Sequence, residues 1–376
     1  MRILHLAYED PRQPGSGGGS VRTREINRRL AENHAITAIV AGYPGARERV
    51  EWGVRWVPVG TRRWEKLDRL AYFAFLHREV HRVAADVIVE DFGAPFSVGL
   101  APLTTRKPVI ASVQWLFADR MRAKYGLPFD RVEQVGLRAY GDFIAVSDWL
   151  ADELRRRRPG ALVEVIPNGI EEAAFAARPL KPRHLVFVGR LDAPQKGCDM
   201  LPEIMARIRA SLGAQTPILN IIGDGPDRPA LEDQIQRRGL EGSIRFLGRL
   251  EGSEKYAVLS AAHAVLMPSR FETFGMVAVE TQAAATPLVA FDVGPLAEVV
   301  GAGGALLIPP FDLDAFARAV IELVVDPHEN ASLRANGRTW ARRYDWDALA
   351  LQQEGHYLRT LERFRNDRIR PQRKSS

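Results

Sequence analysis

A single cysteine, Cys198, stands among 376 residues, so no disulfide can form within the chain. A reducing compartment fits that usage. Long apolar runs are missing too. The longest, 70–76 (LAYFAFL), falls far short of the roughly 20 residues a membrane-spanning helix needs. The opening MRILHLA gives way to Glu9 and Asp10 too early for a secretory signal. A cytoplasmic protein is expected, able to lie on a membrane surface without crossing it. Zinc-ligand spacings, helix-turn-helix and ribonucleoprotein patterns are also lacking, which sets nucleic acid aside despite a net charge of +6. Nucleotides and phospholipid headgroups remain as acidic partners. The run Arg155–Arg158 reads as a solvated helix face or as a peripheral membrane contact. His5, His34, His77 and His81 form no metal constellation: 77 and 81 share a helix face, but no third ligand accompanies them.

What is present is globular: 46% hydrophobic and 26% charged residues, in a chain long enough for two domains. Short apolar runs alternate with helical patterns, the mark of repeated strand–helix units. Strands are predicted at 3–7, 36–41, 54–57, 87–89, 109–113, 143–146 and 163–166, then at 185–188, 218–222, 244–247, 265–267, 288–291 and 306–308. Helices are predicted at 21–31, 67–85, 149–157, 312–325, 331–343 and 346–364. Weak periodicity with Pro179 and Pro182 marks 171–183 as a linker. Two open, Rossmann-like α/β domains follow, at 1–170 and 184–345, with a terminal helix at 346–366 and a disordered tail at 367–376. Parallel sheets bind ligands at the carboxyl ends of their strands, so the expected site is a cleft between facing domains.

Three segments carry chemistry. Gly15–Ser20 (GSGGGS) follows the first strand and precedes a helix, where backbone N–H groups can approach an anion. A flexible surface loop is the plain alternative. A nicotinamide site is disfavoured, because the spacing is not G-x-G-x-x-G and the second strand ends at Ala41-Gly42-Tyr43 without an acidic residue. Arg190 and Lys196 lie just beyond another strand, a placement that suits a diphosphate leaving group. Glu272 and Glu280 flank Gly275, which opens a helix whose free amides can face phosphate. Asp312-Leu313-Asp314 has the spacing of metal-dependent sugar transferases, but it opens a helix and reads as a cap.

Arg190, Lys196, Glu272 and Glu280 sit within five ordered motifs: GRL…KG at 189–197, GDGP at 223–226, FLGRL at 246–250, PSRFETFGMVAVE at 268–280 and VGPLAEVV at 293–300. Together with AVS at 145–147 and IPNGI at 166–170, they resemble the retaining glycosyltransferase family 4, of the GT-B fold. The resemblance implies that Arg190 and Lys196 clamp the donor diphosphate and that Glu272 lies near the transferred sugar. It implies donor contacts from Gly189, Thr273, Phe274, Gly275 and Met276, a ribose contact from Glu280 and a base pocket at Leu247. Gly17, Gly18 and Gly19 match a loop that closes over diphosphate or acceptor, and the terminal helix matches one that returns to the first domain. One departure stands out: Gln114 occupies a position that is usually histidine, and glutamine hydrogen-bonds but does not titrate.

The implied reaction moves a hexose from a nucleoside diphosphate, uridine favoured and guanosine open, to an acceptor hydroxyl with retention of configuration. It needs neither metal nor cofactor. The acceptor is a secondary metabolite, a glycan or a glycolipid, and Glu90, Asp91 and Trp115 are candidates to meet it, among aromatics that include Trp64, Tyr72, Phe73, Phe75 and Phe117. The abundant Arg and Ala suggest a GC-rich bacterial source. A sugar-nucleotide epimerase or a phosphorylase shares this architecture, and Gln114 keeps a non-catalytic nucleotide-sugar binder open.

Overall fold

The computed structural model describes residues 1–60, 65–93, 100–116, 118, 122 and 126–369, with the side chains at 65–71, 73, 368 and 369 outside that description. The chain divides into two compact units, Met1–Gly169 with Trp346–Ser376 and Ile170–Asp345.

In the first unit the strands are β1 (Arg2–Tyr8), β2 (Ala35–Ala41), β3 (Arg49–Glu51), β4 (Val54–Val59), β5 (Val87–Phe92), β6 (Val109–Val113), β7 (Asp142–Ala145) and β8 (Leu162–Val165). They form one sheet in the order β3-β4-β2-β1-β5-β6-β7-β8. All neighbours are parallel except β3 and β4. Both faces are covered, so the strands read as nearly continuous apolar runs. On one face Ile3, Ala7, Val87 and Val89 meet Ile26 and Leu30 of the helix Gly18–Leu30, and Trp346, Leu349 and Tyr357 of the terminal helix. On the other, Leu4, Leu6 and Ile88 meet Tyr72, Leu76 and Val80.

The second unit holds β9 (His184–Val188), β10 (Leu219–Ile222), β11 (Ile244–Gly248), β12 (Ala262–Met267), β13 (Leu288–Phe291) and β14 (Leu306–Ile308). Its order is β11-β10-β9-β12-β13-β14, with every neighbour parallel. Cys198 is buried here among Leu201, Ile204 and their neighbours.

Several elements depart from expectation. The short antiparallel β3 is only three residues long, with Val50 turned outward, too little to show a period. The helix Phe129–Ala139 escaped because its buried face is Glu133, Gly136 and Leu137, while Val132 and Val135 are exposed. Glu133 accepts from Arg157 Nη1 at 2.6 Å. Within the stretch read as linker, Glu172–Ala176 is helical. The terminal helix runs Trp346–Ile369, so residues 367–369 of the expected tail are helical, and 370–376 lie outside the described residues. The arginine run ends the helix Asp148–Arg157, where Arg155, Arg156 and Arg157 pair with Asp152, Glu153 and Glu133. No helix among the described residues is long and apolar enough to cross a membrane.

Candidate active site

In the second unit the strand order reverses between β9 and β12, and a crevice opens beyond the carboxyl ends of such a pair. The chain leaving β9 carries Gly189, Arg190 and Lys196, and the chain leaving β12 carries 268–275. Lys196 Nζ lies 2.6 Å from Glu272 Oε1, which also accepts from Ser269 Oγ at 2.8 Å. The two side chains are 20% and 6% exposed, so this ion pair is shielded where surface pairs are not. Arg190 differs: 58% of its side chain is exposed, and Nη2 donates to Asp192 Oδ2 at 2.5 Å. One cation is therefore fixed and the other reaches into solvent.

Arg270 gained no role from the sequence, although it lies inside the motif at 268–280. Its guanidinium grips Asp199 through both Nη atoms, at 2.6 and 2.8 Å, and donates to the Ala193 carbonyl at 2.5 Å. It thereby ties the segment holding Lys196 to the segment holding Glu272. Arg270→Ala is expected to lower kcat/KM about tenfold, and Arg270→Lys to recover little, because an ammonium cannot reproduce the bidentate grip. Steady-state kinetics on the two variants checks this.

Gly275 caps the helix Met276–Ala283 with φ +90°, and a Cβ there would stand 2.6 Å from Leu296 Cδ2. The turn lets the first amides of the helix follow Glu272, Thr273 and Phe274 directly. Phe274 is buried edge-on against Tyr344, at 5.6 Å between centroids. Leu247 lies half-buried in β11 and Met276 half-buried at the helix start. Glu280, in the second turn, pairs with Lys255 Nζ at 3.1 Å. Burial pushes its carboxyl above the usual range, against the pull of Lys255. Asp312 Oδ1 caps its helix by accepting from Ala315 N at 2.8 Å.

The first unit reverses its strand order between β1 and β5. At their carboxyl ends lies a cavity of about 220 Å³ lined by Ala7, Tyr8, Glu9, Gly17, Gly19, Ser20, Asp91, Phe92, Gly93, Gln114 and Trp115. Gly17, Gly19, Asp91, Gln114 and Trp115 are thus brought together, while Gly18 opens the helix without lining the cavity. The Gly17 amide is taken by Glu9 Oε2, at 3.2 Å, a carboxylate standing where an anion was expected. Gln114 Oε1 accepts from Asn168 Nδ2 at 3.2 Å, and its buried Nε2 has no partner. Asn168 is set by Arg22, whose Nη1 reaches Asn168 Oδ1 at 3.2 Å and the Pro167 carbonyl at 2.6 Å. Burial lowers the Arg22 guanidinium to about 10, leaving it charged at neutral pH.

Glu90 is not brought to the cavity. The pleat turns it to the opposite face from Asp91, where it is buried and accepts from the Tyr140 hydroxyl. Tyr72 is also buried, accepting from Tyr8 N at 3.2 Å, and Phe75 is exposed. Trp64, Phe117 and the Phe73 side chain lie outside the described residues. Unforeseen neighbours of Asp91 are His5 and Thr23, with Asn27 behind them on His5 Nδ1. The sequence offers His5 only as a metal ligand, because its link to Asp91 crosses 86 residues.

The sequence pattern described as Glycosyl transferases group 1 matches residues 182–326, and that described as Glycosyltransferase Family 4 matches 16–174. Glycogen synthase of Mycobacterium tuberculosis is 34% identical over 238 residues, which are 60% of this chain and 56% of that protein. The chain spans about half the length of the curated relatives it matches. Sucrose-phosphate synthase of Thermosynechococcus elongatus superposes with a TM-score of 0.77 at 22% identity, over 95% of this chain and 98% of that one. Anabaena HepE, solved in complex with UDP, superposes with a TM-score of 0.71 at 20% identity, over 96% and 100% of the two chains. With a glycosyltransferase pattern matched in each unit and a shared arrangement of parallel sheets, the chain belongs to the group 1, family 4 glycosyltransferases and has the GT-B fold.

Proposed function

We propose that the chain transfers a hexose from a uridine diphosphate sugar to an acceptor hydroxyl with retention of configuration. The observation that carries this reading is the shielded Lys196–Glu272 pair at the carboxyl ends of β9 and β12, with the exposed Arg190 guanidinium on the same loop. As the bond from the sugar's anomeric carbon to the diphosphate oxygen breaks, negative charge gathers on the diphosphate. The fixed Lys196 and the helix amides after Gly275 stabilise that charge without having to reorganise, and the exposed Arg190 guanidinium adds a second cation. The acceptor oxygen bonds the anomeric carbon on the face the diphosphate leaves, and the acceptor's proton passes to the departing diphosphate. The chain's own cations meet the charge, so no step is assigned to a metal. Glu280 holds the ribose, and Gln114 Nε2, an unengaged donor, meets a sugar hydroxyl. The UDP seen in HepE supports uridine as the base. A peripheral membrane contact remains compatible with this reading.

The test is protection against thermal unfolding by UDP, with mass spectrometry of products from UDP-sugars and an acceptor panel. Arg190→Ala is expected to weaken UDP protection about tenfold, since a solvent-exposed cation contributes less than a shielded one. A 2-epimer or a sugar phosphate as sole product would replace transfer with epimerase or phosphorylase chemistry.

A further inference from the structure

The cavity beside β1 and β5 is lined by two carboxylates, Asp91 and Glu9. His5 and Asp91 share the face of their strands that meets the helix Gly18–Leu30. His5 Nε2 lies 3.1 Å from Asp91 Oδ1, and Thr23 Oγ1 donates to Asp91 Oδ2 at 3.0 Å. Asn27 Nδ2 lies 2.8 Å from His5 Nδ1. With Asn27 donating to Nδ1, the hydrogen on Nε2 is the one Asp91 accepts. Each oxygen of Asp91 then has one donor from the protein and lone-pair capacity left over. Glu9 supplies a second carboxylate, and Gln114 Nε2 a buried donor without a partner.

No Lys, Arg or His is among the described residues that line this space. The buried Arg22 directs its amines to Pro167, Asn168 and Gln353 instead. Among the described lining residues a phosphate would face two carboxylates and no cation, whereas hydroxyl groups would donate to both and accept from Gln114. Trp115 adds an aromatic side chain to the lining, of the kind a sugar ring's C–H face packs against.

We infer that this cavity takes the acceptor as a hydroxyl-rich ring bearing no phosphate or carboxylate, and that His5 is the positioning residue that aims Asp91 at it. The inference rests on the transfer reading given above. Matched probes test it: myo-inositol against its 1-phosphate, and glucosamine against its 6-phosphate, each added to UDP-saturated protein. Protection against thermal unfolding and transfer from a UDP-sugar are both read. At least one unphosphorylated probe is expected to protect, with its ester needing a tenfold higher concentration or more. Asp91→Asn is expected to narrow that ratio at least threefold, and His5→Gln to narrow it while the carboxylate stays. A merely structural histidine would leave the ratio unmoved. Thr23→Val replaces His5→Gln should the latter misfold. An ester as effective as its parent, no protection by either parent, or an unchanged ratio in Asp91→Asn would overturn the inference. UDP protection is measured first. Its absence would strike the transfer reading itself, whereas a failed probe series with UDP protection intact strikes only the acceptor class.

Discussion

Lys196→Ala is expected to lower kcat/KM by about 10²–10³-fold, the effect seen when a fixed charge aimed at a developing anion is removed. The reason is placement. Lys196 is 20% exposed and fixed by Glu272 at 2.6 Å, so its charge acts where water screens it poorly. The substitution also leaves Glu272, 6% exposed, with Ser269 as its remaining side-chain partner among the described residues. An unmatched buried group costs about 1–3 kcal/mol, so a lower melting temperature should accompany the loss of rate. Glu272→Gln in the Lys196→Ala background separates the two effects: stability should recover in part, and rate should not. Kinetics and denaturant titration of the wild type, both single variants and the double variant close the cycle. A Lys196→Ala enzyme within threefold of the wild type would remove this residue from the mechanism.

Gly197→Ala is expected to destabilise the protein by about 3 kcal/mol or more, and to lower turnover about 100-fold. Gly197 has φ +63°, and a Cβ on it would stand 1.9 Å from the Pro268 carbonyl oxygen and 2.5 Å from Met200 Cε. Backbone cannot yield as a side-chain tip can, so the loops after β9 and β12 must part, and they carry Lys196 and Glu272 respectively. Gly239→Ala is the control. It has φ +59° with nothing within 4 Å of the added Cβ, so only backbone strain of about 1–2 kcal/mol applies. A Gly197→Ala variant no less stable and no slower than Gly239→Ala would show that the close approach of the two loops is unimportant.

The strands were legible because parallel sheets buried on both faces demand apolar runs, and strand cores predicted at 36–41, 109–113, 288–291 and 306–308 recur in β2, β6, β13 and β14. The helix Phe129–Ala139 was not legible, since a buried glutamate meeting an arginine in the next helix leaves no apolar period to read. Among site residues, Arg190, Lys196 and Glu272 stood out by following strand ends within motifs. Arg270 and His5 did not, because what they do depends on Asp199 and Asp91, 71 and 86 residues away.

By itself the sequence determined the alternation of strands and helices, the glycines at the turns and which short segments hold charge next to strand ends. Those are local properties, set by periodicity and backbone sterics within a few residues. The tertiary structure alone decided that Lys196 meets Glu272, that Asp91 turns into a cavity while Glu90 turns away, and that Glu9 covers the Gly17 amide. Strand order and pleat phase bring such groups together across the chain, and neither is written in any short stretch of residues.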